Sequence, residues 1–134
     1  MIDTAARPPI HLIDTEAETL ANLALAAGPD HEAAAMLIAE IERAETHTAD
    51  ALPAGVVTMG AAAVFVDEGT GARRGITLVY PGEADIAAGR ISILTLVGAG
   101  LIGLSEGQTI RWPDRSGRER LLRIESVRPR ATEA

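Results

Sequence analysis

The stretch Ile91-Ser-Ile-Leu-Thr-Leu-Val-Gly-Ala-Gly-Leu-Ile-Gly-Leu104 decides how the rest of the chain is read, because it admits three incompatible structures. It is the longest apolar run, yet it holds Ser92, Thr95 and three glycines and falls short of the roughly 20 residues a bilayer crossing needs. Gly98-Ala99-Gly100-Leu101-Ile102-Gly103 also matches the GxGxxG dinucleotide fingerprint and follows a predicted strand. That fingerprint requires a long helix after the glycines, aiming its dipole at a pyrophosphate, and then a further strand ending in an acid. Here Gly107 closes the segment too soon for such a helix. What remains is a strand, Arg90 to Leu94, followed by one short helix, Val97 to Leu104, whose glycines permit close packing on a sheet.

Outward from this stretch, short strands alternate with turn residues. Val56 to Thr58, Ala62 to Val66, Ile76 to Tyr80, Thr109 to Trp112 and Leu121 to Val127 read as strands, and Gly69-Thr70-Gly71, Pro81-Gly82 and Pro113 to Gly117 punctuate them. Toward the N-terminus the period changes. Leu20, Leu23 and Ala27 recur at helical spacing after Asp14, a candidate cap with Glu16 and Glu18 near the first turn, until Gly28-Pro29 ends the run. Asp30 is placed to cap a second helix, with Glu32 in its first turn and Leu37, Ile41 and Ala44 forming one stripe, running to about Thr46. Two such arms make an antiparallel hairpin, each roughly 20 to 25 Å long at 1.5 Å per residue. Met1 to Pro9, with consecutive prolines and no period, reads as an extended lead. The expected architecture is α+β: residues 1–53 hold the lead and the short helical hairpin, and residues 54–134 hold a mostly antiparallel sheet domain with one short helix.

Composition narrows the function. With 134 residues and 47% of them apolar, a sizeable core is feasible, but Phe65, Tyr80 and Trp112 are the only aromatics, too few for a base-stacking platform. Cysteine is absent, which excludes a disulfide framework, a thiol nucleophile and thiolate metal ligands, and fits a soluble cytoplasmic protein with no membrane association. The formal charge of −7 is unevenly spread. Residues 1–53 carry Arg7 and Arg43 against ten acids, whereas residues 54–134 carry ten Arg against nine acids. An acidic front does not approach a phosphate backbone, so no direct sequence-specific nucleic-acid binding is expected, and the better partner is a protein with a basic channel.

Chemistry-bearing constellations are sparse. His11, His31 and His47 lie 20 and 16 positions apart, none sits at i, i+3 or i+4 from another ligand type in a way that suggests a metal site, and they read as surface or cap-adjacent side chains. Ser92, Ser105, Ser116 and Ser126 lie in no GxSxG elbow and beside no histidine, so no hydrolytic triad is indicated. Glu16 with Glu18, and Glu40 with Glu42, are i, i+2 pairs pointing to different sides of a helix and read as solvated faces. Asp30 and Glu32 stand out by their position at the hairpin turn, although capping is the simpler reading of them. No catalytic residue and no cofactor site are read.

Three strings carry a family likeness: Val57-Thr-Met-Gly60, Gly75-Ile-Thr-Leu-Val-Tyr-Pro81, and the Ile91 to Leu104 run with Gly107-Gln-Thr-Ile-Arg-Trp112 behind it. From about Pro9 to Val127 the chain resembles the GreA/GreB transcription elongation factor family, and within it the regulator of nucleoside diphosphate kinase (Rnk) type. The resemblance implies an FKBP-like C-terminal domain docking on RNA polymerase at the rim of its secondary channel, with the hairpin directed into the opening. It assigns Leu94, Thr95, Leu96 and Gly98 to the docking loop and Gly28, Pro29, Asp30 and Glu32 to the hairpin tip. Gre factors bring tip carboxylates on a much longer coiled coil to the polymerase's catalytic magnesium; Rnk-type members have a shortened hairpin, and the arms inferred here are short. The expectation is therefore a non-enzymatic polymerase-binding regulator. Its rivals are a transcript-cleavage factor and a prolyl isomerase, an activity the FKBP-like fold hosts elsewhere. There are two departures from the family pattern: Gly107-Gln108 in place of Gly-Asp, and Thr95-Leu96 in place of Ser-Pro or Thr-Pro, whose lost proline predicts a looser docking turn.

Overall fold

The computed structural model describes residues 9–113 and 116–129. The extended lead inferred for Met1 to Pro9 lies outside them except for Pro9, as does the centre of the Pro113 to Gly117 turn. In chain order the elements are β1 (His11–Ile13), α1 (Asp14–Ala27), α2 (Glu32–Arg43), β2 (Glu45–His47), β3 (Ala62–Asp67), β4 (Arg73–Val79), β5 (Arg90–Ser92), α3 (Leu96–Leu101), β6 (Thr109–Pro113) and β7 (Glu119–Arg128). This is the expected mixed α+β architecture.

The main sheet has the order β5-β4-β3-β7-β6. Its pairs are antiparallel except β4 with β5, where Thr77, Leu78 and Val79 lie opposite Arg90, Ile91 and Ser92 in parallel. The β3–β4 hairpin closes where the sequence places its glycines: the Asp67 carbonyl accepts the N–H groups of Thr70 (3.2 Å) and Gly71 (2.7 Å), and Gly71 takes a φ of +77° that a side chain would oppose. A bulge between Val64 and Phe65 shifts the β3–β7 register and adds twist. Val56 to Thr58, expected as a strand, contributes only an isolated bridge from Val56 to Ser105.

Much of the basic content of the second half is spent on ion pairs within the sheet. Arg73 pairs with Glu125 at 2.7 Å, Arg123 with Glu68 at 3.0 Å and Arg120 with Asp67 at 3.3 Å. These are surface pairs, each worth a fraction of a kcal/mol, about 0.2–1 by measured precedent.

The N-terminal hairpin differs from expectation in three ways. First, the second helix ends at Arg43 and not near Thr46, because Glu45–His47 leaves the helix to pair in parallel with His11–Ile13. The Ile10 carbonyl accepts the Glu45 N–H, and the Gly103 carbonyl accepts the His11 N–H, so a ladder in the main body captures both ends of the hairpin. Helices α1 and α2 are joined by four residues and pack on each other.

Second, the caps move. Asp14 is the first helical residue, behind Ile13, and its carboxylate accepts from the neighbouring Thr15 N–H. On α2 the cap is His31, whose Nδ1 accepts the Ala34 N–H at 3.1 Å, and not Asp30. Third, two carboxylates read as solvated are not. Glu40 is 1% exposed, with one oxygen accepting from both Nε (3.1 Å) and Nη2 (2.7 Å) of Arg43. Glu16 accepts the Met59 N–H at 3.3 Å, tying α1 to the approach to β3.

One core joins the hairpin to the sheet. Ala17, Leu20, Ala24, Ala34 and Leu37 belong to the same buried cluster as Val57, Phe65, Leu78, Ile93, Leu101, Ile110, Trp112 and Ile124. Helix α2 rests on α3, so the hairpin leans against the body along part of its length. Among the described residues no helix is long and apolar enough to cross a membrane.

Candidate functional site

Side chains of Ser92 and Thr95 organise the loop between β5 and α3. The Ser92 hydroxyl oxygen accepts the Leu94 N–H at 3.0 Å, and the Ser92 carbonyl accepts both the Thr95 hydroxyl (2.7 Å) and the Thr95 N–H (3.2 Å). Thr95 then caps α3, its Oγ1 accepting the Gly98 N–H at 3.0 Å. Four hydrogen bonds thus run between Ser92 and Gly98. Leu94, Thr95 and Leu96 are half-buried and present part of their surface to solvent, while Gly98 is buried beneath them.

The three glycines of the GxGxxG run each solve a packing problem. A Cβ on Gly98 would collide with the Ser92 carbonyl oxygen, and one on Gly100 would lie 2.8 Å from the Trp112 ring. Gly103 has a φ of +83° and sits 3.1 Å, measured from where its Cβ would be, from the His11 carbonyl oxygen. Trp112, 1% exposed, completes the arrangement by donating its Nε1–H to the Leu96 carbonyl at 2.6 Å. Close approach of α3 to its neighbours therefore accounts for the glycines, and the helix is only six residues long.

The departure at Gln108 is accommodated. Its Oε1 accepts the Ser105 N–H at 2.8 Å, as an aspartate could, and its Nε2 donates to the Pro9 carbonyl at 3.2 Å, which an aspartate could not.

At the far end of the hairpin, Gly28 takes a φ of +97° to leave α1, and Pro29, Asp30 and Glu32 are exposed. Released from capping by His31, the Asp30 carboxylate faces solvent, and Asp14, Glu18 and Glu42 are exposed along the arms, with Glu45 exposed on β2 at their base. Leu25, 67% exposed, adds an apolar contact point one turn before the tip. The tip and the β5–α3 loop lie on separate elements, linked through the contact of α2 with α3.

One cluster was not legible in the sequence. Parallel pairing of β1 with β2 brings His11 Nδ1 to 3.0 Å from His47 Nε2, beside the Glu45 carboxylate, although the two histidines are 36 positions apart. Among the described residues this is a group of His and carboxylate side chains whose donor atoms converge closely enough to hold a metal ion. The one sequence signal is the i, i+2 spacing of Glu45 and His47, which puts both on one face in a strand but separates them in the helix expected there.

Comparison with known proteins adds the following. The family model described as transcription elongation factor, GreA/GreB, C-terminal, matches residues 52–129. The regulator of nucleoside diphosphate kinase of Escherichia coli (strain K12) is 35% identical over 111 residues, covering 80% of this chain and 79% of that protein. Transcription elongation factor GreA of Azorhizobium caulinodans is 39% identical over 71 residues, covering 53% of this chain and 45% of its own length. Among solved structures, a prokaryotic transcription elongation factor GreA/GreB from Nitrosomonas europaea superposes with a TM-score of 0.71 at 34% identity, covering 92% of this chain and all of that one.

Proposed function

Since the chain belongs to the GreA/GreB transcription elongation factor family, we propose that it is a non-enzymatic, RNA-polymerase-binding regulator of the Rnk type. In this reading residues 54–134 form an FKBP-like docking domain that grips the rim of the polymerase secondary channel through Leu94, Thr95 and Leu96, held in place over Gly98. Residues 1–53 supply an acidic hairpin that obstructs the entrance without stimulating transcript cleavage.

The observation that carries the proposal is the hairpin's size and posture. Helices of 14 and 12 residues are about 21 and 18 Å long, and the second leans on α3 instead of standing clear. Carboxylates on so short a stub cover an opening but do not travel down a channel to a buried metal. The charge agrees with a basic protein surface as partner: the hairpin's acids are largely exposed, and long-range attraction favours encounter.

The cleavage-factor reading would need Asp30 and Glu32, at the tip of arms about 18 to 21 Å long, to reach the polymerase's catalytic metal. The isomerase reading is poorly supplied, because Phe65 and Trp112 are buried in the core at 4% and 1% exposure and only Tyr80 among the aromatics keeps part of its surface open. Fold alone does not carry that activity.

The test is a pair of assays on backtracked elongation complexes. The chain should leave RNA length unchanged while lowering the cleavage that an added Gre factor stimulates. Shortening of the RNA by this chain, abolished in Asp30→Asn/Glu32→Gln, would instead establish a cleavage factor.

A further inference from the structure

We propose that His11, Glu45 and His47 form a binding site for one divalent transition-metal ion of the zinc class, at the base of the helical hairpin. The site is independent of whether the chain docks on polymerase.

The placement follows from strand geometry. Side chains alternate across a strand, so Glu45 and His47, two apart on β2, share a face, and His11 lies opposite Glu45 in the parallel register. Leu12, of opposite parity, is buried in the core at 1% exposure. The three polar side chains thus project together from the outer side of the ladder.

The distances then select the occupant. His11 Nδ1 is 3.0 Å from His47 Nε2 and 3.4 Å from Glu45 Oε1, and His47 Nε2 is 4.0 Å from the same oxygen. These separations bracket the roughly 3.3 Å between neighbouring ligand atoms of a tetrahedral zinc site with bonds of about 2 Å, so small side-chain adjustments seat an ion against all three. Hydrogen bonding alone serves the cluster less well. One ring proton can sit between His11 Nδ1 and His47 Nε2, but it leaves the Glu45 carboxylate, 3.4 and 4.0 Å from the two nitrogens, with a weaker share of the cluster. A cation at the centre engages all three.

Two imidazoles and one carboxylate suit zinc, cobalt or nickel, whereas magnesium and calcium prefer sets made of oxygen. The rings are about one-fifth exposed and the carboxylate is 68% exposed, so a fourth position opens to solvent. Because the ligands come from β1 and β2, the ion would fasten together the two ends of the segment that contains α1 and α2, closing a loop between residues 36 apart. That is where a cross-link constrains the hairpin most.

The experiment uses the full chain, stripped with EDTA and titrated with ZnCl2 by calorimetry and with CoCl2 by visible absorption. One equivalent should bind, the cobalt form should show the intense bands of four-coordinate geometry, and saturating zinc should raise the melting temperature by roughly 5–10 °C. Glu45→Gln, which alters an exposed side chain and leaves the core untouched, should weaken binding more than about tenfold. His47→Ala should abolish it, and His31→Ala, away from the cluster on α2, should bind as the parent does. Absence of zinc binding by the parent chain overturns the proposal. So does undiminished binding in either Glu45→Gln or His47→Ala, since the site needs all three ligands.

Discussion

Replacing Gly98 by alanine tests the packing on which the proposed docking loop stands. A Cβ at this position meets the Ser92 carbonyl oxygen within contact range, the Ile93 Cα at 3.0 Å and the Ser92 carbonyl carbon at 3.1 Å. All three are backbone atoms, so no rotamer change relieves the overlap, and α3 must lift away from β5. Overpacking of this kind costs about 1–3 kcal/mol. Displacing α3 also strains the Thr95–Gly98 cap and the Trp112–Leu96 hydrogen bond, each worth about 1 kcal/mol. Alanine's better helix propensity returns about 1 kcal/mol. The net loss is about 2–4 kcal/mol, read as a lower urea midpoint followed by Trp112 fluorescence, with a melting temperature about 7–14 °C lower. Gly82→Ala is the control, because nothing lies within 4 Å of its Cβ position, and it should match the parent within about 0.5 kcal/mol. A Gly98→Ala protein as stable as the parent would refute the view that close packing explains the glycine run.

Two further substitutions probe the core and the hairpin. Glu40→Ala removes one partner of an ion pair that is buried on the acid's side and 26% exposed on the arginine's, so it should cost about 2 kcal/mol in urea unfolding, below the range for fully buried pairs. Trp112→Phe deletes the donor to the Leu96 carbonyl and leaves space beneath α3, and should lower stability by about 2 kcal/mol in thermal or urea unfolding monitored by circular dichroism.

The parts of the fold that announce themselves in sequence are those with long periods or forced backbone angles. Gly28-Pro29 stops α1, Gly69-Thr70-Gly71 turns β3 into β4, and the glycines from Gly98 to Gly103 refuse a dinucleotide once the following helix proves short. What stayed hidden depends on contacts between distant segments. His11–Ile13 and Glu45–His47 are too short to show alternation and become strands only by pairing with each other, which is why α2 seemed longer and the histidines seemed unrelated. Glu40 carried a missed signal: it lies three residues after Leu37, on the apolar stripe, and an acid there needs a buried partner, which Arg43 supplies one turn on. The choice of His31 over Asp30 as cap turns on a one-residue shift that composition cannot resolve. The loop from Ser92 to Gly98 was located through family likeness, whereas the four hydrogen bonds that stiffen it emerge only from the folded chain.

The most direct measurement is equilibrium binding of a fluorescently labelled chain to core RNA polymerase, titrated at two salt concentrations alongside Leu94→Asp, a change at a half-exposed position of the β5–α3 loop. The account predicts saturable binding that weakens as salt rises, is displaced by a Gre factor, and falls more than about tenfold in the variant. Failure to bind at micromolar polymerase, or binding indifferent both to Leu94→Asp and to the competing factor, would contradict it.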